Sequence, residues 1–228
     1  MIFPKNLHQL LNMNNKTKNA LILLAKYPEG ENVKTRLAAA IGQERANQYY
    51  RKWLKHNLSM AAKLPLHIDI FLRLAERQHV EKMQEMLNDL RLSSRIKCMQ
   101  PTADNITDNL KDAFLDLYKN GYDKMVSAAT DTNFSVRFFP ELFSVLDDQD
   151  VVMGIDQKRE GINAFGLHRR VASFGLIRQL FESDTRGMNP QTWVKQVIRS
   201  QETKFRVLVI PGVIDVDDWN DLRLISDH

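Results

Sequence analysis

Apolar residues in this chain follow two rhythms: short continuous runs, and longer stretches in which they return every third or fourth position. The run Ala20-Leu21-Ile22-Leu23-Leu24-Ala25 has no polar interruption, the pattern of a strand buried on both faces of a sheet. Helical periodicity follows over 33–41 and again over 43–63, with Gly42 separating the two helices. In the longer one Ala46, Tyr49, Tyr50, Trp53, Leu54, Leu58 and Ala61 share one broad face. Further strands are predicted at 67–72, 96–99, 123–129, 150–155, 163–168 and 205–210. Further helices are predicted at 76–90, 105–120, 140–146, 171–182, 191–200 and 217–225. Pro101 ends the third strand, Gly121 stops the helix before the fourth, Pro140 suits a first helical turn, and Pro211-Gly212 stops the last strand.

Strands alternating with helices predict one α/β domain, with a mostly parallel sheet and helices on both faces. No internal repeat or long linker interrupts it, so a single domain spans 19–228. The first 18 residues lack an apolar signal-peptide core and read as an extension that the fold does not need. At 228 residues the chain is long enough to bury a substantial core, and no apolar run approaches the roughly 20 residues of a membrane helix. One cysteine, Cys98, excludes an internal disulfide and a zinc cluster, and fits a cytoplasmic setting. The net charge of +4 is uneven: 17 Lys and Arg against 8 Asp and Glu in residues 1–100, then 15 against 20 in the remainder. A basic half can face phosphates or simply be solvated. Without a helix-turn-helix, zinc-finger or aromatic stacking motif, nucleic acid is not the expected partner.

In open α/β sheets ligands bind beyond the carboxyl ends of the strands. After the first strand comes Ala25-Lys26-Tyr27-Pro28-Glu29-Gly30-Glu31-Asn32-Val33-Lys34-Thr35-Arg36-Leu37. Pro28 and Gly30 force a loop, and Lys34 and Arg36 arrive at the start of a helix, with Lys26 upstream. Cations there oppose the helix dipole, and a phosphate bound to free backbone N–H groups would account for them; the alternative is a solvated basic turn. After the fourth strand, Thr130-Asp131-Thr132-Asn133 places a carboxylate at the crevice, suited to Mg2+ or Mn2+ or to a helix N-cap. After the last strand, Asp215 and Asp217 face the same way in an extended segment. With Asp131 they could clamp a divalent ion on a diphosphate; the alternative is that Asp217 or Asp218 caps the terminal helix. The histidines at 56, 67, 79 and 168 do not pair at metal-ligand spacing. No serine lies in a nucleophile elbow and there is no Walker loop.

Ala25-Lys26-Tyr27-Pro28 followed by Val33-Lys34-Thr35-Arg36-Leu37 resembles the opening motif of a family of small bacterial GT-A-fold transferases. The family comprises uncharacterised glycosyltransferases of the radical-SAM/selenodomain-associated type, distantly related to phospholactate guanylyltransferase. Thr130-Asp131, Asp150-Val151-Val152-Met153-Gly154, Gly166-Leu167, and Asp215-Val216-Asp217 with Asp221-Leu222 resemble later family motifs in the same order, so the likeness covers about residues 19–224. It implies a nucleotide-diphospho-sugar transferase fold. It further implies that Lys34 and Arg36 contact nucleotide phosphates, that Asp131 and Asp217 hold Mg2+ or Mn2+, and that base and ribose lie against the backbone near Leu24 to Tyr27. Where the family has D-G-G-Y in its acceptor region, this chain has Arg159-Glu160-Gly161-Ile162.

The expected protein is therefore a metal-dependent transferase taking a nucleotide or nucleotide-sugar donor and a small-molecule acceptor, with glycosyl transfer foremost. Nucleotidyl transfer to a phosphorylated acid is the alternative within the same site. A non-catalytic nucleotide-binding domain is the alternative of another class, resting on the replaced D-G-G-Y and on the loop Pro28-Glu29-Gly30-Glu31, which stands where the family has P-x-P-G.

Overall fold

The computed structural model describes residues 17–29, 33–132, 134–156, 161–182, 189–201, 204–213, 218 and 221–222. Most of the N-terminal extension, Asp215 and Asp217, residues 157–160 and nearly all of the terminal helix expected at 217–225 lie outside the described residues. β1 (Asn19–Ala25) is the predicted apolar run, and Ala20, Leu21, Ile22 and Leu23 are at most 1% exposed. α1 (Thr35–Ile41) and α2 (Gln43–Ala61) follow, separated by Gly42 at φ 85°, a conformation that costs glycine nothing. Then come β2 (Ile68–Leu74), a 3-10 turn at Arg77–His79, α3 (Val80–Asp89) and β3 (Ile96–Met99). α4 (Ile106–Lys119) is capped by the Asn105 side chain, which accepts from the Asp108 N–H. β4 (Lys124–Ala129), α5 (Phe138–Asp148), β5 (Val151–Asp156), β6 (Ile162–His168), α6 (Phe174–Leu180), α7 (Pro190–Arg199) and β7 (Val207–Val213) complete the described elements.

The seven strands form one sheet in the order β3-β2-β1-β4-β6-β5-β7. All pair in parallel except β6, which is antiparallel to both β4 and β5. Residues alternate across the sheet. Leu21 and Leu23 meet α2, α3 and α5 through Leu54, Leu58, Met83 and Phe139 on one face. Ala20 and Ile22 meet α4, α6 and α7 through Phe114, Ile177 and Val197 on the other. Gly166 in β6 is required by close packing, because a Cβ there would lie 2.6 Å from Val152 Cγ1 and 3.0 Å from Leu146 Cδ1.

Two details differ from the sequence reading. β7 continues through Pro211-Gly212 to Val213 instead of stopping there. Among the described strands it lies at the edge, paired with β5 alone, and its register shifts opposite Ile155 and Asp156, so a proline without an N–H is tolerated. Tyr49 leaves the buried face of α2 and is 37% exposed, while Asn57 takes a fully buried place on that face.

At the amino end of β5 the buried Asp150 is hydrogen-bonded to Arg170 and accepts from the Arg206 N–H at 2.8 Å. Burial pushes its carboxyl up, but the Arg206 N–H and the two guanidinium groups outweigh it and hold the pKa at about 2. A lowered folded-state pKa contributes stability that is complete above the unfolded value and is lost as pH falls through the folded one. The difference in melting temperature between the wild type and Asp150→Asn is expected to be full at pH 6 and to shrink from about pH 4 towards pH 2. Acid titration by calorimetry checks this, and a pH-independent difference contradicts it.

Candidate functional site

The chain leaves β1, builds β2 and β3 on one side, and returns to place β4 on the other side of β1. This reversal opens a crevice at the carboxyl ends of β1 and β4. Leu24 pairs with Ala129, so the segments beginning at Lys26 and Thr130 emerge side by side. They are tied together by the Thr130 N–H and hydroxyl, which donate to the Leu24 carbonyl at 3.0 and 2.8 Å.

Two polar side chains of α2 fix this junction from below. The Tyr50 hydroxyl accepts from the Lys26 N–H at 2.9 Å and lies 3.1 Å from the Lys26 carbonyl and 3.2 Å from Thr130 Oγ1. Burial, then the Asp131 charge, drive its pKa far above the ordinary phenol value, so the group is a neutral brace and not a base. Asn57 Nδ2 donates to the Thr130 carbonyl at 3.0 Å and to the Thr132 carbonyl at 2.7 Å, and so holds the turn carrying Asp131 from both sides. Sequence reading counts Tyr50 as packing and passes over Asn57. The signal for Asn57 was an amide inside an otherwise apolar stripe, between Leu54 and Leu58.

Lys34 sits at the N-cap of α1 with φ 48° and ψ 49°, the left-handed region that a lysine rarely adopts. Its side chain is only 3% exposed, and Nζ lies 2.9 Å from Asp131 Oδ2, whose side chain is 38% exposed. A buried ammonium needs a paired anion, and Asp131 supplies one at the rim of the crevice.

Above this pair lies a cavity of about 660 Å³ lined by Lys26, Lys34, Tyr50 and Asp131 at one end. Ala75, Glu76, Asp104 and Thr107 line it beside β2 and α4, and Asn163, Phe165, Phe181 and Val194 line it across β6, α6 and α7. The structure thus brings Lys26, Lys34 and Asp131 together. Arg36 is exposed in the first turn of α1 and is not among the lining residues. Among the described residues no group of three histidines, cysteines or carboxylates is arranged to hold a metal ion, and Asp131 is the described member of the expected set. No described helix is long and apolar enough to cross a membrane. Cys98 is half-buried in β3, and burial raises its thiol pKa to about 11.

Solved structures decide the fold. A protein from Desulfovibrio desulfuricans assigned as a nucleotide-diphospho-sugar transferase superimposes with a TM-score of 0.76 at 20% identity, over 91% of this chain and 85% of that one. The chain has the nucleotide-diphospho-sugar transferase fold. The same fold joins it to 4-diphosphocytidyl-2C-methyl-D-erythritol synthase from Anaerococcus prevotii, with a TM-score of 0.63 at 11% identity over 92% and 96% of the two chains. It also joins it to Rv0371c of Mycobacterium tuberculosis, solved in complex with manganese, with a TM-score of 0.55 at 14% identity over 92% and 99%. No family model matches the chain, and no curated protein sequence does.

Proposed function

We propose that the chain is a transferase acting on a nucleotide-activated substrate, with the donor diphosphate at Lys34 and a divalent ion at Asp131. The observation that carries this reading is the Lys34–Asp131 pair on the rim of a 660 Å³ cavity, at the point where the sheet reverses its strand order. An ammonium and a carboxylate that neutralise each other can each exchange that partner for a component of a metal-diphosphate complex. The ammonium then faces phosphate oxygens and the carboxylate faces the cation, so neither charge is stranded. Mg2+ or Mn2+ suits oxygen donors, and Asp131, with Asp215 and Asp217 from the closing segment, would hold it. Once bound, such an ion neutralises charge on the leaving diphosphate or pyrophosphate. Lys26 would add a second cation to the donor end, and the braced backbone from Leu24 to Tyr27 would carry the nucleoside.

Glycosyl transfer from a nucleotide sugar is the leading reaction. Nucleotidyl transfer is kept as a second reading because the Anaerococcus relative, a diphosphocytidyl-product synthase by name, shares almost its whole length with this chain. Release of a nucleoside diphosphate marks the first reaction and release of pyrophosphate marks the second. Binding without either release marks a non-catalytic domain.

The site assignment is tested with Asp131→Asn. Nucleotide affinity in Mn2+ is expected to fall about tenfold, as for loss of one charged interaction, with a much smaller change in chelator. Titration calorimetry under both conditions checks this. An equal effect with and without metal would assign Asp131 a purely structural role.

A further inference from the structure

The part of the cavity lined by β6, α6 and α7 has its own chemistry. Between β6, α4, α6 and α7 it forms a recess walled by Leu110, Phe165, Leu180, Phe181 and Val194. Among the described lining residues the charged ones are Lys26, Lys34, Glu76, Asp104 and Asp131, and none of them belongs to β6, α6 or α7. One polar side chain of β6 stands in this recess. Asn163 is 6% exposed, lies on the same face of β6 as Phe165, and its buried Nδ2 has no hydrogen-bond partner among the described residues. The position is fixed by its neighbour, because the Ile162 N–H donates to Gln191 Oε1 of α7 at 3.1 Å.

A buried amide donor without a partner is destabilising, and a ligand oxygen that accepts from it removes that cost. The surrounding apolar walls select the kind of oxygen. An anion would lose its hydration against leucine, valine and phenylalanine side chains, whereas a carbonyl, hydroxyl or ether oxygen on an apolar body loses little. We infer that this recess is the acceptor subsite, and that it takes a neutral, largely apolar molecule whose oxygen accepts a hydrogen bond from Asn163 Nδ2. The word acceptor rests on the transferase reading; the ligand class rests on the recess alone.

The test uses the full-length chain with leucine and valine methyl groups labelled for NMR. Three probes of similar size are titrated: acetophenone, which carries a neutral carbonyl; ethylbenzene, which lacks it; and phenyl phosphate, which is anionic. Acetophenone is expected to shift the Leu180 and Val194 methyl resonances and to bind about tenfold more tightly than ethylbenzene, the usual effect of leaving one buried polar group unpaired. Asn163→Leu is expected to abolish that preference. Equal binding of acetophenone and ethylbenzene by the wild type, or tighter binding of phenyl phosphate at these methyl groups, overturns the inference without needing the variant. Nucleotide binding is measured in parallel. Nucleotide binding without acetophenone binding refutes the recess alone, whereas acetophenone binding without nucleotide binding refutes the transferase reading and leaves the ligand class standing.

Discussion

Replacing Lys34 with alanine is expected to weaken nucleoside diphosphate binding about 10- to 100-fold. The estimate follows from loss of a charge-assisted hydrogen bond, worth about 1.5–3 kcal/mol at roughly 1.4 kcal/mol per tenfold. Lys34 should matter this much because its side chain is 3% exposed and held at the crevice by Asp131. Little ordering is then left to be done when a phosphate arrives, and little solvent screens the interaction. Stability should change less than affinity, because the Asp131 carboxylate left behind is 38% exposed and can be hydrated. Arg36→Ala is the internal comparison: that residue is exposed and off the cavity lining, so its effect should stay below about fivefold and fade with salt. Titration of both variants in Mn2+ checks the ranking. An unchanged affinity for Lys34→Ala, or a larger loss for Arg36→Ala, would move the phosphate site away from the Lys34–Asp131 pair.

Asn57→Leu is expected to cost about 3 kcal/mol of stability and to weaken nucleotide binding as well. Leucine fills a similar volume but donates nothing, so the Thr130 and Thr132 carbonyls lose their bonds at 3.0 and 2.7 Å. Both threonines are 0% exposed. The Thr130 carbonyl is then stranded, at about 1–3 kcal/mol, whereas the Thr132 carbonyl keeps the Phe134 N–H at 3.2 Å and forfeits one bond worth about 0.5–1.5 kcal/mol. Asn57 Oδ1 is itself buried without a partner among the described residues, and removing it offsets part of that cost. For a chain of this size the melting temperature should fall by about 6–12 °C. Affinity should fall too, because Asp131 sits between the two carbonyls that Asn57 holds. A melting temperature within a degree or two of wild type would show that the turn is held by other contacts.

The course of the fold was readable where local pattern and tertiary role agree. β1 is an uninterrupted apolar run because it is central and covered on both faces, and Gly121 stops α4 with φ 77°. The antiparallel direction of β6 was not readable, since a strand buried on both faces has the same composition in either direction. Pro211 misled because a proline ends a central strand but not an edge strand, and edge position is a property of the whole sheet. At the site, loop composition and position after a strand singled out Lys26, Lys34 and Asp131. The left-handed backbone of Lys34 left no trace in its residue type. Asn57 and Asn163 were overlooked for one reason: each stands in an apolar stripe, where its meaning depends on which backbone or cavity it faces.

The central claim, that the crevice at β1 and β4 binds a metal-nucleotide complex, is tested most directly by thermal shift on the full-length chain. The panel pairs nucleotides and nucleotide sugars with and without Mn2+. A ligand at about 100 times its Kd stabilises the folded state by about 2.7 kcal/mol, here roughly 5–10 °C. The account predicts a rise of that size for one nucleotide class, larger with Mn2+ than without, and absent in Lys34→Ala. A flat response across the panel at millimolar ligand, with and without Mn2+, would contradict it.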